Sequence, residues 1–238
     1  MKIVLRIRRF HPETDSAPHD GEYPLDIEPT ATVLDALIRV KSGQDGSLSF
    51  RRSCAHGVCG SDAMVIAGVE RLACKTLIRD VAEEEGAVVT VEPLKHMTVQ
   101  NDLMVDQREF FQHYRAVKPF LINEEPTGGR ERIQSPDEHA AFDEATSCIL
   151  CGACYSSCPV FEKNSSYLGP AALLSAARFV FDSRDRGLAD RMAALDNPDG
   201  AWGCENHFTC TRVCPRGIKV TKSINATKRK IDSVKGKK

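Results

Sequence analysis

Residues 148–159 read CILCGACYSSCP, and their spacing decides what the C-terminal half of the chain folds around. Cys148, Cys151, Cys154 and Cys158 stand as C-x2-C-x2-C-x3-C, with Pro159 directly after the last. In a run of this form three cysteines grip one iron–sulfur cluster and the fourth crosses to a second cluster. The run therefore predicts a partner, and residues 204–215 (CENHFTCTRVCP) supply it. Aligned from their prolines, Cys214 matches Cys158, Cys210 matches Cys154 and Cys204 matches Cys148, while His207 stands where Cys151 would. One site thus receives Cys148, Cys151, Cys154 and the crossing Cys214, four thiolates for a 4Fe–4S cluster. The other receives Cys204, Cys210 and the crossing Cys158, and three thiolates fit a 3Fe–4S cluster lacking one corner iron. The alternatives are His207 as ligand to a fourth iron, or a pair of zinc sites.

Upstream, residues 54–62 read CAHGVCGSD, and Cys74 follows. Four residues separate Cys54 from Cys59, two separate Cys59 from Asp62, and eleven lead on to Cys74. This is the C-x4-C-x2-C…C spacing of a 2Fe–2S site, with Asp62 in place of the third cysteine. Ligands so close together need tight turns. Gly57 and Gly60 permit them and let backbone N–H groups approach the sulfurs, which helps set the reduction potential. A carboxylate oxygen can complete an iron's tetrahedron, although it is a harder ligand than thiolate. Ser61 or solvent is the alternative fourth ligand, and a zinc site or buried free cysteines are the alternatives for the set. The ten cysteines and Asp62 fill three clusters with none left over.

The rest of the chain frames these motifs. Its 238 residues make one or two domains with ample core. With 42% hydrophobic and 27% charged residues it reads as globular and not disordered. A net charge of −1 excludes a general polyanion binder. The cysteine runs carry no basic face with aromatic platforms, so no nucleic-acid partner is expected. The opening MKIVLRIRRF lacks the apolar run and cleavage site of a secretory leader. The longest apolar stretch, 171–181, is about half of the roughly twenty residues a membrane span needs. In the reducing compartment this implies, clustered cysteines are metal ligands or redox groups sooner than disulfides.

Periodicity places the motifs on elements. Residues 2–10 and Tyr23–Ile27 alternate as strands, 32–41 repeat as a helix, and 64–67 and 88–91 are short apolar strands. That is a small α+β domain. From about residue 102 the pattern turns helical. Asp106 with Glu109 resembles a capping box, and Phe110, Phe111, Tyr114 and Val117 form an apolar face ended by Pro119. A polar loop leads to Ser135-Pro136-Asp137-Glu138, a strong helix start. Further helices are expected from Pro170 to Asp182 and over 221–231. The expected domains are 1–103, holding the 2Fe–2S site, and 104–238, holding the other two.

A more specific signal lies in whole stretches: SLSFRRSCAHGVCGSD (47–62), LACKTLIRD (72–80), DLMVD (102–106), CILCGACYSSCPVF (148–161), LGPAALL (168–174), DSRD (182–185) and CTRVCPRG (210–217). On these the chain resembles the iron–sulfur subunit of succinate dehydrogenase and fumarate reductase over essentially its whole length. The resemblance implies an α+β protein, with an N-terminal β-grasp plant-type ferredoxin domain followed by a mainly α-helical bacterial-ferredoxin-like domain. It implies a flavoprotein partner that exchanges electrons between succinate and fumarate at FAD, so no catalytic residue is expected on this chain. Electrons would then pass singly through 2Fe–2S, 4Fe–4S and 3Fe–4S to quinone at membrane anchor subunits, which can carry haem b. The expected setting is the cytoplasmic face of a bacterial inner membrane, as the peripheral subunit of complex II in the tricarboxylic acid cycle. Succinate oxidation is the expected direction and fumarate reduction the runner-up. The family accepts cysteine or aspartate where Asp62 stands.

One departure concerns quinone. Family members often carry tryptophan shortly after the cysteine–proline pair and histidine just after the first cysteine of the second run. Here those regions read Glu162-Lys163-Asn164 and Glu205, with His207 two residues on. Pro159, Lys163 and His207 are the candidate quinone contacts, the alternative being that they only pack against the anchor. Finally, residues 212–238 hold ten Lys or Arg and one acid, Asp232. This reads either as docking near anionic headgroups or an acidic partner, or as a solvated, partly disordered tail.

Overall fold

Ile3, Leu5 and Ile7 alternate with half-exposed Val4, Arg6 and Arg8, and this period of two builds β1 (Lys2–Arg9) with one face buried. In the computed structural model, which describes residues 1–236, β1 is an inner strand of a mixed sheet. It pairs antiparallel with β2 (His19–Asp26), Lys2 opposite Asp26 and Arg9 opposite His19. On its other side it pairs parallel with β5 (Ala87–Glu92), Ile3 opposite Ala87 and Ile7 opposite Val91. The hairpin β3 (Ala63–Ile66) and β4 (Val69–Leu72) extends the sheet beyond β5, giving the order β2-β1-β5-β3-β4. Ala67 and Gly68, both at positive φ, close that hairpin. The helix α1 (Val33–Gly43) buries Val33, Leu34, Ala36, Leu37 and Val40. It starts from a reciprocal capping box between Thr32 and Asp35. A small ladder, β6 (Val99–Asn101) with β7 (Met104–Val105), follows.

These elements, Met1–Gln107, form one unit with a second piece of chain, Ile149–Ser157. The cysteine run 148–158 is therefore divided: Cys151 and Cys154 belong to this unit, while Cys148 and Cys158 belong to the other. Arg9 is buried at the end of β1 and donates to Asp102 (2.8 Å) and Ser47 (2.9 Å), and also to Asp45 and Tyr23. Asp102 in turn accepts from the backbone N–H of Ser49 at 2.8 Å. One buried guanidinium thus ties down the chain that leads into the first cysteine loop.

The other unit, Arg108–Cys148 with Cys158 onward, is helical. It contains α2 (Arg108–Ala116), α3 (Pro136–Ala140) and α4 (Asp143–Thr146) before the divided run. In the first unit, that run carries α5 (Ala153–Ser156). Then come α6 (Gly169–Val180), α7 (Leu188–Leu195), α8 (Thr209–Arg212) and α9 (Val220–Lys235). The centre is α6, buried continuously from Gly169 to Ala177, and α2, α4, α7 and α9 pack around it. Its small alanines let those neighbours approach closely. α2 begins one residue later than a cap at Asp106 would place it. α3 starts as its sequence predicts: Ser135 caps, Pro136 is first, and Glu138 returns a carboxylate to the Ser135 N–H at 2.8 Å.

Most of the basic C-terminal segment is structured. α9 continues to Lys235, burying Ile224 and Ile231 against the unit, and Lys235 pairs with Asp196 at 2.6 Å. Lys237 and Lys238, its last two charges, lie outside the described residues. Among the described residues no helix is long and apolar enough to cross a membrane.

Candidate iron–sulfur sites

The loop between α1 and β3 folds back on itself around Cys54. Ala55, Gly57 and Gly60 take positive φ, and the reversals aim the N–H groups of His56, Val58 and Cys59 at the Cys54 sulfur, 3.5, 3.4 and 3.3 Å away. Those three donors pull the Cys54 thiol down to about 6 and favour its thiolate. Cys59 sits at the loop's exposed side with Ser61 Oγ 3.1 Å from its sulfur.

Asp62 and Cys74 are buried and face each other. The Asp62 carbonyl accepts from Ala73 N–H at 3.0 Å, and its Oδ2 accepts from Cys74 N–H at 2.7 Å. Burial, reinforced by the Asp62 carboxylate, pushes the Cys74 thiol up to about 12. The other carboxylate oxygen, Oδ1, is buried with no hydrogen-bond partner among the described residues. An unsatisfied buried carboxylate oxygen is costly and calls for a cation or a donor. Three sulfurs, this orphan oxygen and inward-facing N–H groups fit a two-iron cluster. Asp62 has the free oxygen; Ser61 Oγ is engaged with Cys59 instead.

Gly60 requires its lack of a side chain twice over. Its φ is +69°, and a Cβ there would stand 2.7 Å from the Cβ of Cys151. The first loop therefore lies directly against the start of the second run. That piece is anchored in the same unit: Ser156 Oγ donates to buried Glu70 at 2.9 Å and accepts from Lys95 N–H at 2.9 Å. Gly152, at φ +82°, turns the chain into α5, which carries Cys154. Cys148 follows α4 and Cys214 follows α8, both in the helical unit.

The third set lies wholly in the helical unit. Cys158 precedes the 3-10 turn Pro159–Glu162, Cys204 follows the turn Ala201–Gly203, and Cys210 is on α8. Together with Tyr167, Thr221 and Ile224 they line one cavity. Burial raises the Cys158 thiol to about 11 and shifts Cys210 upward as well, and the neighbouring sulfurs of the set add to both. Such thiols surrender their protons to a metal and not to water. Tyr167 is buried beside all three sulfurs, and burial followed by their charge holds its hydroxyl protonated.

At the rim of this cavity stands Glu205. It accepts from His207 Nε2 at 2.9 Å and pairs with Lys163 Nζ at 3.4 Å, and these two contacts hold its carboxyl below the usual range. The structure thus brings two of the candidate quinone contacts onto one carboxylate, with Pro159 next to Cys158. His207 lines the cavity but its Nε2 is taken by Glu205. Sequence reasoning missed Tyr167 and Thr221, whose only sequence mark is polarity at positions that pack as core. Among the described residues no three His, Cys, Asp or Glu side chains form a group able to hold a single metal ion. A cluster spreads its thiolates over separate irons and so holds them farther apart.

Two family models match successive parts of the chain. A family model described as a 2Fe-2S iron-sulfur cluster binding domain matches residues 4–112, and one described as a 4Fe-4S dicluster domain matches residues 144–218. The fold and these sites define an iron–sulfur electron carrier with an α+β two-iron domain and a helical dicluster domain. Its similarity extends across full-length relatives. The fumarate reductase iron-sulfur subunit of Mycobacterium tuberculosis is 41% identical over 219 residues, covering 91% of this chain and 87% of that one. The succinate dehydrogenase iron-sulfur subunit of Coxiella burnetii is 38% identical over 225 residues, covering 93% and 94%. A chain of the Mycobacterium smegmatis Sdh1 complex in the apo form superposes with a TM-score of 0.86 at 28% identity, over 98% of this chain and 96% of that one. The chain belongs to the family of iron–sulfur subunits of succinate dehydrogenase and fumarate reductase.

Proposed function

We propose that this chain is the electron-transfer subunit of a membrane-bound succinate:quinone oxidoreductase working in the direction of succinate oxidation. When bound, the clusters supply one-electron carriers between a two-electron flavin and quinone. The ligand sets proposed are Cys54, Cys59, Asp62 and Cys74 for 2Fe–2S; Cys148, Cys151, Cys154 and Cys214 for 4Fe–4S; and Cys158, Cys204 and Cys210 for 3Fe–4S. The chain's own work is to hold these donors in place and to tune them by burial and hydrogen bonds. The N–H groups of residues 56, 58 and 59 do this at Cys54. The succinate chemistry is proposed to lie on a flavoprotein partner with FAD. Attachment at the cytoplasmic face of the bacterial inner membrane is proposed to run through anchor subunits carrying the quinone site. Likeness to a chain of the Sdh1 complex supports this assembly.

The observation that carries the three-iron reading is the cavity lined by Cys158, Cys204 and Cys210, in which the residue aligned with a fourth cysteine, His207, is bonded to Glu205. Relatives bear both enzyme names, so fumarate reduction by the same chain is the second reading. Iron and sulfide analysis of the purified complex, with electron paramagnetic resonance, tests the ligand sets. About nine irons per iron–sulfur chain are expected, with an oxidised three-iron signal before any reductant is added. About ten irons and no such signal would bring His207 into the ligand set. Zinc without sulfide would end the iron–sulfur reading.

A further inference from the structure

Thr221, at the start of α9, is buried. Its Oγ1 lies 3.3 Å from the Cys210 sulfur and 3.2 Å from Thr211 Oγ1, and its N–H donates to Thr211 Oγ1 over 3.1 Å. Distances alone leave the hydroxyl protons undetermined, since each oxygen can donate or accept. The chemistry of Cys210 decides them. A cysteine that ligates iron carries no proton, so its sulfur can only accept. The Thr221 hydroxyl must then point its hydrogen at sulfur. Its lone pairs are left to accept, and the Thr211 hydroxyl is placed to fill one of them. Thr211 in turn accepts the Thr221 N–H. The Thr221 O–H is thus directed at the Cys210 sulfur, and the Thr211 hydroxyl, which also reaches that sulfur, stands beside it.

We infer that Thr221, backed by Thr211, is a positioning residue that raises the reduction potential of the three-iron centre by donating a hydrogen bond to the Cys210 sulfur. The inference rests on the ligand set proposed above. Its physical reason is charge. Reduction adds one electron to a cluster and its thiolates, and a donor at a sulfur stabilises the more negative state more. In a buried site that difference is not screened by water. A purely structural role would be served as well by valine, which has threonine's shape and no hydroxyl to desolvate.

The test is a redox titration of the three-iron resonance in the assembled complex. Thr221→Val should shift its midpoint to lower potential and leave that of the two-iron centre unchanged, while Thr221→Ser should restore it. Thr211→Val removes a second hydroxyl beside the same sulfur and should give a smaller shift of the same sign. A Thr221→Val complex that keeps its three-iron signal at the wild-type midpoint would overturn the inference. Should Thr221→Val lose the cluster, Thr221→Ala, smaller and also without the hydroxyl, takes its place, and an unshifted midpoint there would overturn the inference. Absence of the three-iron signal from the unaltered complex would remove the ligand reading itself, and this inference with it.

Discussion

Asp62 shows how one side chain can be asked to do two things. Its Oδ2 is used by the Cys74 N–H at 2.7 Å, and its Oδ1 is buried and unpaired. A purely structural aspartate would satisfy both oxygens; a ligand keeps one free. Asp62→Ala removes both and should abolish the two-iron resonance while the three-iron signal persists. It should also destabilise the first unit by about 1.5–3 kcal/mol, the scale of a hydrogen bond to a charged group. Asp62→Cys restores a donor atom and should retain the two-iron resonance. Full two-iron occupancy in Asp62→Ala would transfer the role to Ser61 or water. The spacing pointed to Asp62, with Ser61 or solvent as the alternative. The difference lies in which oxygen the fold leaves unsatisfied.

Elements of the helical unit are locked by groups far apart in sequence. Arg191 on α7 is fully buried and donates to both oxygens of Asp185, at 2.8 and 3.1 Å. The same guanidinium caps the carbonyls of Lys118 (3.1 Å) and Phe120 (2.7 Å), where the chain leaves α2. Arg191→Met removes the counter-charge of a buried carboxylate that keeps only the N–H groups of Ile122 and Gly187, and should cost about 3–5 kcal/mol. A thermal melt of the loaded protein should drop clearly, and an unchanged midpoint would contradict the argument. Asp185 is only six residues from Arg191, but the lock was illegible beforehand because the carbonyls it closes on lie 71 and 73 residues away. The Ser135–Glu138 box was legible because all its bonds fall within one turn. Strands β1 and β2 and helix α1 were likewise visible as local periods, β3 and β5 as short apolar runs, and α6 from its proline start. The grouping of Ile149–Ser157 with the N-terminal sheet was not, because it depends on long-range contacts such as Ser156 with Glu70.

For the whole molecule, a near-neutral net charge conceals a basic final helix, and the helix is less free than its composition suggests. Lys235 pairs with Asp196 at 2.6 Å, and Lys228 donates to the Cys204 carbonyl at 2.8 Å. Lys228 is thus committed to the backbone of the third cysteine set. Lys163 differs: it is largely exposed, and its partner Glu205 is shared with His207. An exposed pair of this kind is worth only about 0–1 kcal/mol, so Lys163→Ala should leave the fold and all three cluster signals intact. If Lys163 contacts quinone, its loss should raise the KM for quinone several-fold in the assembled complex. Electron flow from succinate to an artificial acceptor that bypasses quinone should not change. The two activities separate the possibilities, because a packing role would lower assembly with the anchor and leave the quinone KM of the assembled fraction as it was. An unchanged quinone KM would reduce the Lys163–Glu205–His207 cluster to a rim of ordinary surface charge.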